Sequence, residues 1–203
     1  MITVTPARAT DLASASVILA EAFAHDPVMS AIVPGSHRRH ERLTELFHGL
    51  LASGPYATGT VDLARDADGT LLGVAAWEGP HAERGAFGRQ TGELPRFARA
   101  LGWLGMPRAL ALLSRLARHR PRAPHWYLAE IGVSAAARGK GVGKALLAAQ
   151  LDTLDTTRQT AYLESSTPDN RRLYRRFGFE ELSPIDGVPG ATPVAMLRLP
   201  AAR

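Results

Sequence analysis

The chain has 203 residues and no cysteine. That absence removes disulfide scaffolds, thiolate metal sites and cysteine nucleophiles from the classes it can belong to, and no metal is expected. Lysine is almost as scarce: Lys140 and Lys144 are the only two, and every other strongly basic side chain is an arginine. No apolar run approaches the ~18–20 residues of a membrane span, so no membrane partner is expected. The opening Met1–Pro6 has neither a basic segment nor an apolar stretch. A secretory signal is therefore not expected, and a cytoplasmic location follows by default. Charged residues make up 21% and hydrophobic residues 45%, which excludes wholesale disorder. The length suits one domain, 1–203, with an ordinary core. A net charge of +5 raises nucleic acid as a partner. The arginines are scattered and no nucleic-acid motif accompanies them, so none is expected.

What the chain does have is concentrated between residues 126 and 180. Trp126–Val133 reads as a strand, Ser134–Gly143 as a glycine-bearing turn, and Val142, Ala145, Leu146, Leu147 and Ala149 as the apolar side of a helix. Glycines alternate at 139, 141 and 143, and both lysines lie among them. Such a turn lets backbone N–H groups converge without Cβ atoms in the way. The helix that follows adds free amides and the positive end of its dipole. The combination is a cradle for a pyrophosphate. It is not the nucleotide-hydrolase loop. That loop needs glycine at 138 and a hydroxyl at 145, where Arg138 and Ala145 stand. The dinucleotide fingerprint also fails, because its third glycine comes one residue early. The pattern present is R-x-x-G-x-G, Arg138 to Gly143.

Downstream, Tyr162–Ser166 reads as a short buried strand. Thr167 and Pro168 open a helix as N-cap and first residue. Leu173, Tyr174 and Phe177 share one face of it, and Gly178 ends it. The whole chain follows an α/β order. Residues 2–8 form a first strand. Asp11 caps a helix to about Ala24, with Leu12, Ala15, Ile18, Leu19 and Ala22 inward. Ser36 caps a second helix to about Ser53. Thr58–Arg65 and Leu71–Trp77 are strands joined by a turn at Asp68-Gly69. Two helices parted near Gly105-Met106-Pro107 occupy about 82–119 as a helical insertion. Then come strands and helices at 125–133, 143–157, 161–166 and 168–177, and closing strands near 179–182 and 193–199. Nothing repeats, and no linker divides the chain.

The loop and the second helix together resemble the GNAT N-acetyltransferase family. Its coenzyme A loop has the form R-x-x-G-x-G, and its last helix ends in L-Y-x-x-x-G-F, which Leu173 to Phe179 match in full. Val133 lies five residues before Arg138, as in the family, although Ala135 stands where proline is common. Many members place asparagine seven residues before the tyrosine; here Thr167 is there and Asn170 lies four before. This variant is similar to the puromycin N-acetyltransferase branch. Leu163-Glu164 with Ser166, and Trp126-Tyr127-Leu128-Ala129, carry that likeness; Glu21–Pro27 and Arg39–Phe47 carry it less specifically.

The resemblance implies a GNAT-type mixed central sheet with helices on both faces. It implies an acetyltransferase that uses acetyl-CoA to acetylate a primary amine of a small molecule, antibiotic-like amines included, by direct attack on the thioester. A protein N-acetyltransferase and a non-catalytic acyl-CoA-binding regulatory module are the alternatives, and a monomer or a homodimer is expected. Carried over residue by residue, the backbone of Ile131, Gly132 and Val133 holds the pantetheine arm. The amides of Arg138, Gly139, Lys140, Gly141, Val142, Gly143 and Lys144 hold the pyrophosphate. Tyr174 protonates the leaving thiolate, and Asn170 bonds the cofactor arm. Two carboxylates compete as general base. Glu130 interrupts an otherwise apolar strand, and a carboxyl among Leu128, Ile131 and Val133 has a raised pKa suited to that role. Glu164 matches a glutamate that is the base in some members. His25 and Asp26 fall where members line the acceptor pocket. Trp77 and Trp126 read as core aromatics.

Overall fold

The computed structural model describes residues 1–201. Seven strands form one mixed sheet: β1 (Thr3–Pro6), β2 (Gly59–Arg65), β3 (Leu71–Glu78), β4 (Trp126–Val133), β5 (Ala161–Ser165), β6 (Glu180–Pro184) and β7 (Val194–Arg198). They lie in the order β1-β2-β3-β4-β5-β7-β6. Every neighbouring pair is antiparallel except β4 and β5. That pair is parallel because a crossover helix joins it. The turn between β2 and β3 forms as expected. Asp66 Oδ1 accepts from the N–H groups of Asp68 and Thr70, and Gly69 takes a φ of 82°.

The helices are α1 (Leu12–Ala22), α2 (Pro27–Ile32), α3 (Arg39–Ser53), α4 (Pro55–Thr58), α5 (Ala86–Gly92), α6 (Leu94–Leu101), α7 (Met106–Ala117), α8 (Val142–Thr156) and α9 (Pro168–Arg175). One face of the sheet carries a core built from α1, α2, α3, α6 and α7, with Leu19, Ile32, Leu43, Phe47 and Leu51 buried against Val74 and Tyr162. The other face carries α8 and α9, whose Leu146, Leu147, Leu151 and Tyr174 pack with Trp77, Leu163 and Phe179. This is the mixed sheet with helices on both faces that the sequence implies.

Several boundaries differ from the sequence expectation. Asp11 does not cap α1 through its side chain: its carboxylate accepts from the Arg8 N–H at 2.8 Å and pairs with Arg65 at 2.9 Å. Ser36 caps nothing; α3 starts after Arg38, which takes the left-handed region at φ 46°. The short helices α2 and α4 were not expected; both begin with a proline at their first position. The segment between β3 and β4 holds three helices rather than two, because Gly92-Glu93 breaks the first. Thr167 caps α9 as expected, accepting from the Asn170 N–H at 3.3 Å, and Gly178 closes it at φ 82°.

Two glycines set how closely helices approach the sheet. A Cβ at Gly73 would lie 2.8 Å from Val142 of α8, and one at Gly132 would lie 2.8 Å from the Ala22 Cβ and 3.0 Å from Leu19 of α1. Gly132→Ala is therefore expected to push α1 off β4 and to cost roughly 1–3 kcal/mol, as overpacking does. Urea unfolding reads this as a lower midpoint. An unchanged midpoint would mean that α1 shifts without cost.

Candidate active site

The pairing of β4 with β5 ends early. Trp126 lies opposite Ala161 and Tyr127 opposite Tyr162, and no further rung follows. From Leu128 to Val133, β4 stays paired with β3, so its edge towards β5 is left without ladder partners. Unpaired strand edges demand hydrogen-bonding partners. Just past β4, Ser134 N–H continues the β3 side by bonding Leu72 O, and Ala135 N–H donates to Glu21 Oε1 at 3.0 Å. Gly139 and Gly141 then adopt φ of 75° and 81°, with nothing within 4 Å of either Cβ position. Their requirement is conformational, whereas Gly143 has ordinary room for a side chain. Gly141 is the N-cap of α8 and its side supplies no hydroxyl or carboxylate to the helix amides. Among the described residues, the N–H groups of Gly139, Gly141, Val142, Gly143 and Lys144 find no backbone acceptor. Arg138, Lys140 and Lys144 stand exposed around them. Free amides, the helix dipole and three cations make a site for an anionic, phosphate-bearing group.

On the opposite face, a cavity of about 210 Å³ lies between the ends of β3, β4 and β5 and the helices α1, α2, α3, α5 and α7. Three glutamates reach it, one from each strand: Glu78, Glu130 and Glu164. Glu130 gets there through a bulge. Ala76 pairs with Glu130 and Trp77 with Leu128, which leaves Ala129 as the extra residue. Without the bulge, regular alternation through Ala129 would put Glu130 on the face of Leu128, pointing into the α8 core. The expectation that Glu130 sits among Leu128, Ile131 and Val133 is thus corrected: those three pack on the α8 side, and Glu130 faces the cavity. The carboxyl is nonetheless raised, by burial as expected, with different neighbours. Burial and the neighbouring Glu78 charge push the Glu130 carboxyl up to about 8, with Arg120 opposing. Its Oε2 has no hydrogen-bond partner.

Glu164 is differently placed. Its side chain pairs with Arg120 at 3.7 Å, and Glu78 pairs with the same guanidinium at 3.6 Å. Arg120 also stacks on the Tyr127 ring, 3.5 Å from the centroid. Burial lowers the Arg120 pKa, but Tyr127, Glu164 and Glu78 outweigh it and hold the cation charged. Asp26 lines the cavity; it caps α2 by accepting from Met29 N–H at 2.9 Å, and Ser166 Oγ donates to its other oxygen. That bond ties α2 to the strand end before α9, where Tyr174 lies. Burial, with the Asp26 charge, raises the Tyr174 phenol well above its ordinary value. His25 is exposed and does not line the cavity, and neither Trp77 nor Trp126 reaches it. The Asn170 side chain is exposed in the first turn of α9.

Sequence reasoning missed Glu78, Arg120, Tyr127 and Ser166. Glu78 carried the signal that marked Glu130, a carboxylate beside an apolar strand run, Val74–Trp77. Arg120 carried none, since it sits in a segment with several other arginines.

A family model for the acetyltransferase (GNAT) domain matches residues 110–181. A solved histone acetyltransferase HPA2 and related acetyltransferase from Corynebacterium glutamicum is 30% identical over 100% of this chain and 98% of its own, with a TM-score of 0.77. A phosphinothricin acetyltransferase from Sinorhizobium meliloti, solved with AcCoA, shares the fold at 19% identity, over 98% of this chain and 89% of its own, with a TM-score of 0.55. The ribosomal-protein-S18-alanine N-acetyltransferase from Escherichia coli does so at 15%, covering 100% and 96%, with a TM-score of 0.57. The chain belongs to the GNAT acetyltransferase family. It is an acetyltransferase, and acetyl-CoA is its acetyl donor.

Proposed function

We propose that the protein acetylates a primary amine of a compact small molecule bound in the cavity over β3, β4 and β5. The observation that carries this reading is the buried, unpartnered Glu130 oxygen in the lining of the cavity. Acetyl-CoA supplies the acetyl group as a thioester. The free edge of Ile131, Gly132 and Val133 holds its pantetheine arm. The amides from Arg138 to Lys144 hold the pyrophosphate, with the charges of Arg138, Lys140 and Lys144 around it. Asn170 is available to the arm. Glu130 takes the proton from the acceptor amine, since no cation pairs with its carboxyl within salt-bridge distance, and a base needs a pKa near the working pH. Glu164 is held by Arg120 and orients the acceptor instead. Tyr174, kept protonated by its surroundings, gives its proton to the departing thiolate.

The residues 82–119 act in this reading as an insertion within one domain: Ala86, Arg89 and Gln90 of α5 and Leu113 and Leu116 of α7 wall the cavity. Ligand pockets for drug-sized molecules run about 300–1,000 Å³, so the 210 Å³ here suits an acceptor smaller than puromycin. A protein acceptor is the second reading, supported by the name of the Corynebacterium relative. Thiol release measured with a panel of small primary amines, puromycin and lysine peptides tests both. Turnover of small amines is expected. Turnover of peptides alone would replace the first reading with the second. No turnover with any, and acetyl-CoA still bound, would leave a regulatory module.

The phosphate cradle has its own test. Gly141→Asp places a negative side chain at a residue with φ 81°. The loss of charge-assisted hydrogen bonds is expected to weaken acetyl-CoA binding by roughly tenfold or more in calorimetry. Strain of about 1–3 kcal/mol lowers Tm by a few degrees without unfolding the protein. Unchanged affinity would remove this loop from the cofactor site.

A further inference from the structure

The charged groups around the cavity are not evenly available. Arg89 lines it, but its guanidinium is occupied by backbone carbonyls: Nε donates to Ser53 O at 2.8 Å, Nη1 to Arg84 O at 2.6 Å, and Nη2 to Ala82 O. Arg120 is held between Glu78 and Glu164 and covered by Tyr127. Among the described residues, Arg89 is the one arginine or lysine that lines the cavity. The acidic groups outnumber these cations. Asp26 and Glu83 line it as well as the three strand glutamates. Glu130 is 8% exposed and the Glu164 side chain 6%. Glu130 Oε2 has no hydrogen-bond partner; Glu164 Oε1 makes no hydrogen bond either, with the Arg120 guanidinium 3.7 Å away.

Buried carboxylate oxygens without partners are costly and call for a donor. A metal ion is not the fit, since no group of three or more acidic or histidine side chains among the described residues is disposed to hold one. An ammonium group supplies several N–H donors and a positive charge at once. The walls beside the carboxylates are apolar, with Phe23, Val28, Met29, Leu50, Leu113 and Leu116. They suit a short alkyl stem. When Glu130 removes the proton of the reacting amine, the negative charge of the other acids exceeds that of the bound guanidinium groups.

We propose that the acceptor is a compact alkylamine carrying a second positive charge, and that amines bearing a carboxylate or phosphinate are rejected. This rests on the small-molecule reading above. The second ammonium group lies against Glu78 and Glu164, and an anionic group finds no free cation.

The test uses three amines of one chain length: putrescine, butylamine and γ-aminobutyrate, each read by thiol release from acetyl-CoA. Putrescine is expected to exceed butylamine in kcat/KM by on the order of tenfold to a hundredfold, the range of a charge-assisted hydrogen bond. γ-Aminobutyrate falls below butylamine. Glu78→Gln and Glu164→Gln, made separately in case one fails to fold, each raise KM for putrescine more than KM for butylamine. Equal kcat/KM for putrescine and butylamine, or γ-aminobutyrate as the best of the three, overturns the charge preference while leaving the small-molecule reading intact. Absence of turnover with all three, in a protein that binds acetyl-CoA by calorimetry, defeats the small-molecule reading and this inference with it.

Discussion

Glu130→Gln is expected to lower kcat by roughly 10²–10⁴-fold, the contribution of a general base. The amide keeps the size of the carboxyl and cannot take the proton. In the wild type the base must be ionised, so kcat/KM is expected to rise with pH through a limb near 8, where burial and Glu78 place the carboxyl against the opposing pull of Arg120. Glu164, Tyr127 and Asp26 also line this cavity and set its field. In Glu130→Gln the limb disappears. If instead Glu164→Gln removes it and Glu130→Gln does not, the base is Glu164.

The same substitution has a stability signature of definite sign. The folded pKa of Glu130 is raised from 4.5 to about 8. The stabilisation by the bound proton is fully present below about 4.5 and is lost as pH rises through about 8. Wild-type stability relative to Glu130→Gln is therefore expected to fall between about pH 5 and 9, by on the order of a few kcal/mol. Denaturant midpoints of the two proteins across this range measure it. Parallel curves would mean that the carboxyl titrates normally.

Tyr174→Phe is the second large effect. The ring packs edge-on against Phe179, with centroids 5.9 Å apart, and phenylalanine preserves that contact. The phenol is 6% exposed, and burial together with Asp26 keeps it protonated at neutral pH. A protonated phenol can serve as a proton donor. Its loss is expected to reduce kcat by roughly 10²–10⁴-fold while acetyl-CoA Kd and Tm change little. Wild-type kcat on a good acceptor would show that Tyr174 only fills the α9 face.

The readable parts of this protein were those whose conformation is set within a few residues. Gly139 and Gly141 take positive φ because the turn into α8 requires it, and their spacing shows in the sequence. Thr167-Pro168 and Gly178 begin and end α9 by local chemistry, so that helix and its Tyr174 face were legible. The apolar runs at 71–77 and 161–165 announced the central strands. The cavity was not legible in the same way. Glu130 faces it only because Ala129 is an extra residue in the ladder with β3, and a bulge is a property of two strands in register. Arg120 acquires its place by closing on Glu78 and Glu164, 42 and 44 residues away in sequence. Asp26 was suspected from its position, yet its bond to Ser166 joins segments 140 residues apart. Sequence by itself determined the glycine turn and the exposed amide end of α8, because backbone torsions and helix ends are short-range. Only the tertiary structure decided that Glu78 and Glu164 share Arg120 while Glu130 has no cation beside it, because charge balance in a buried cavity depends on every element that closes it.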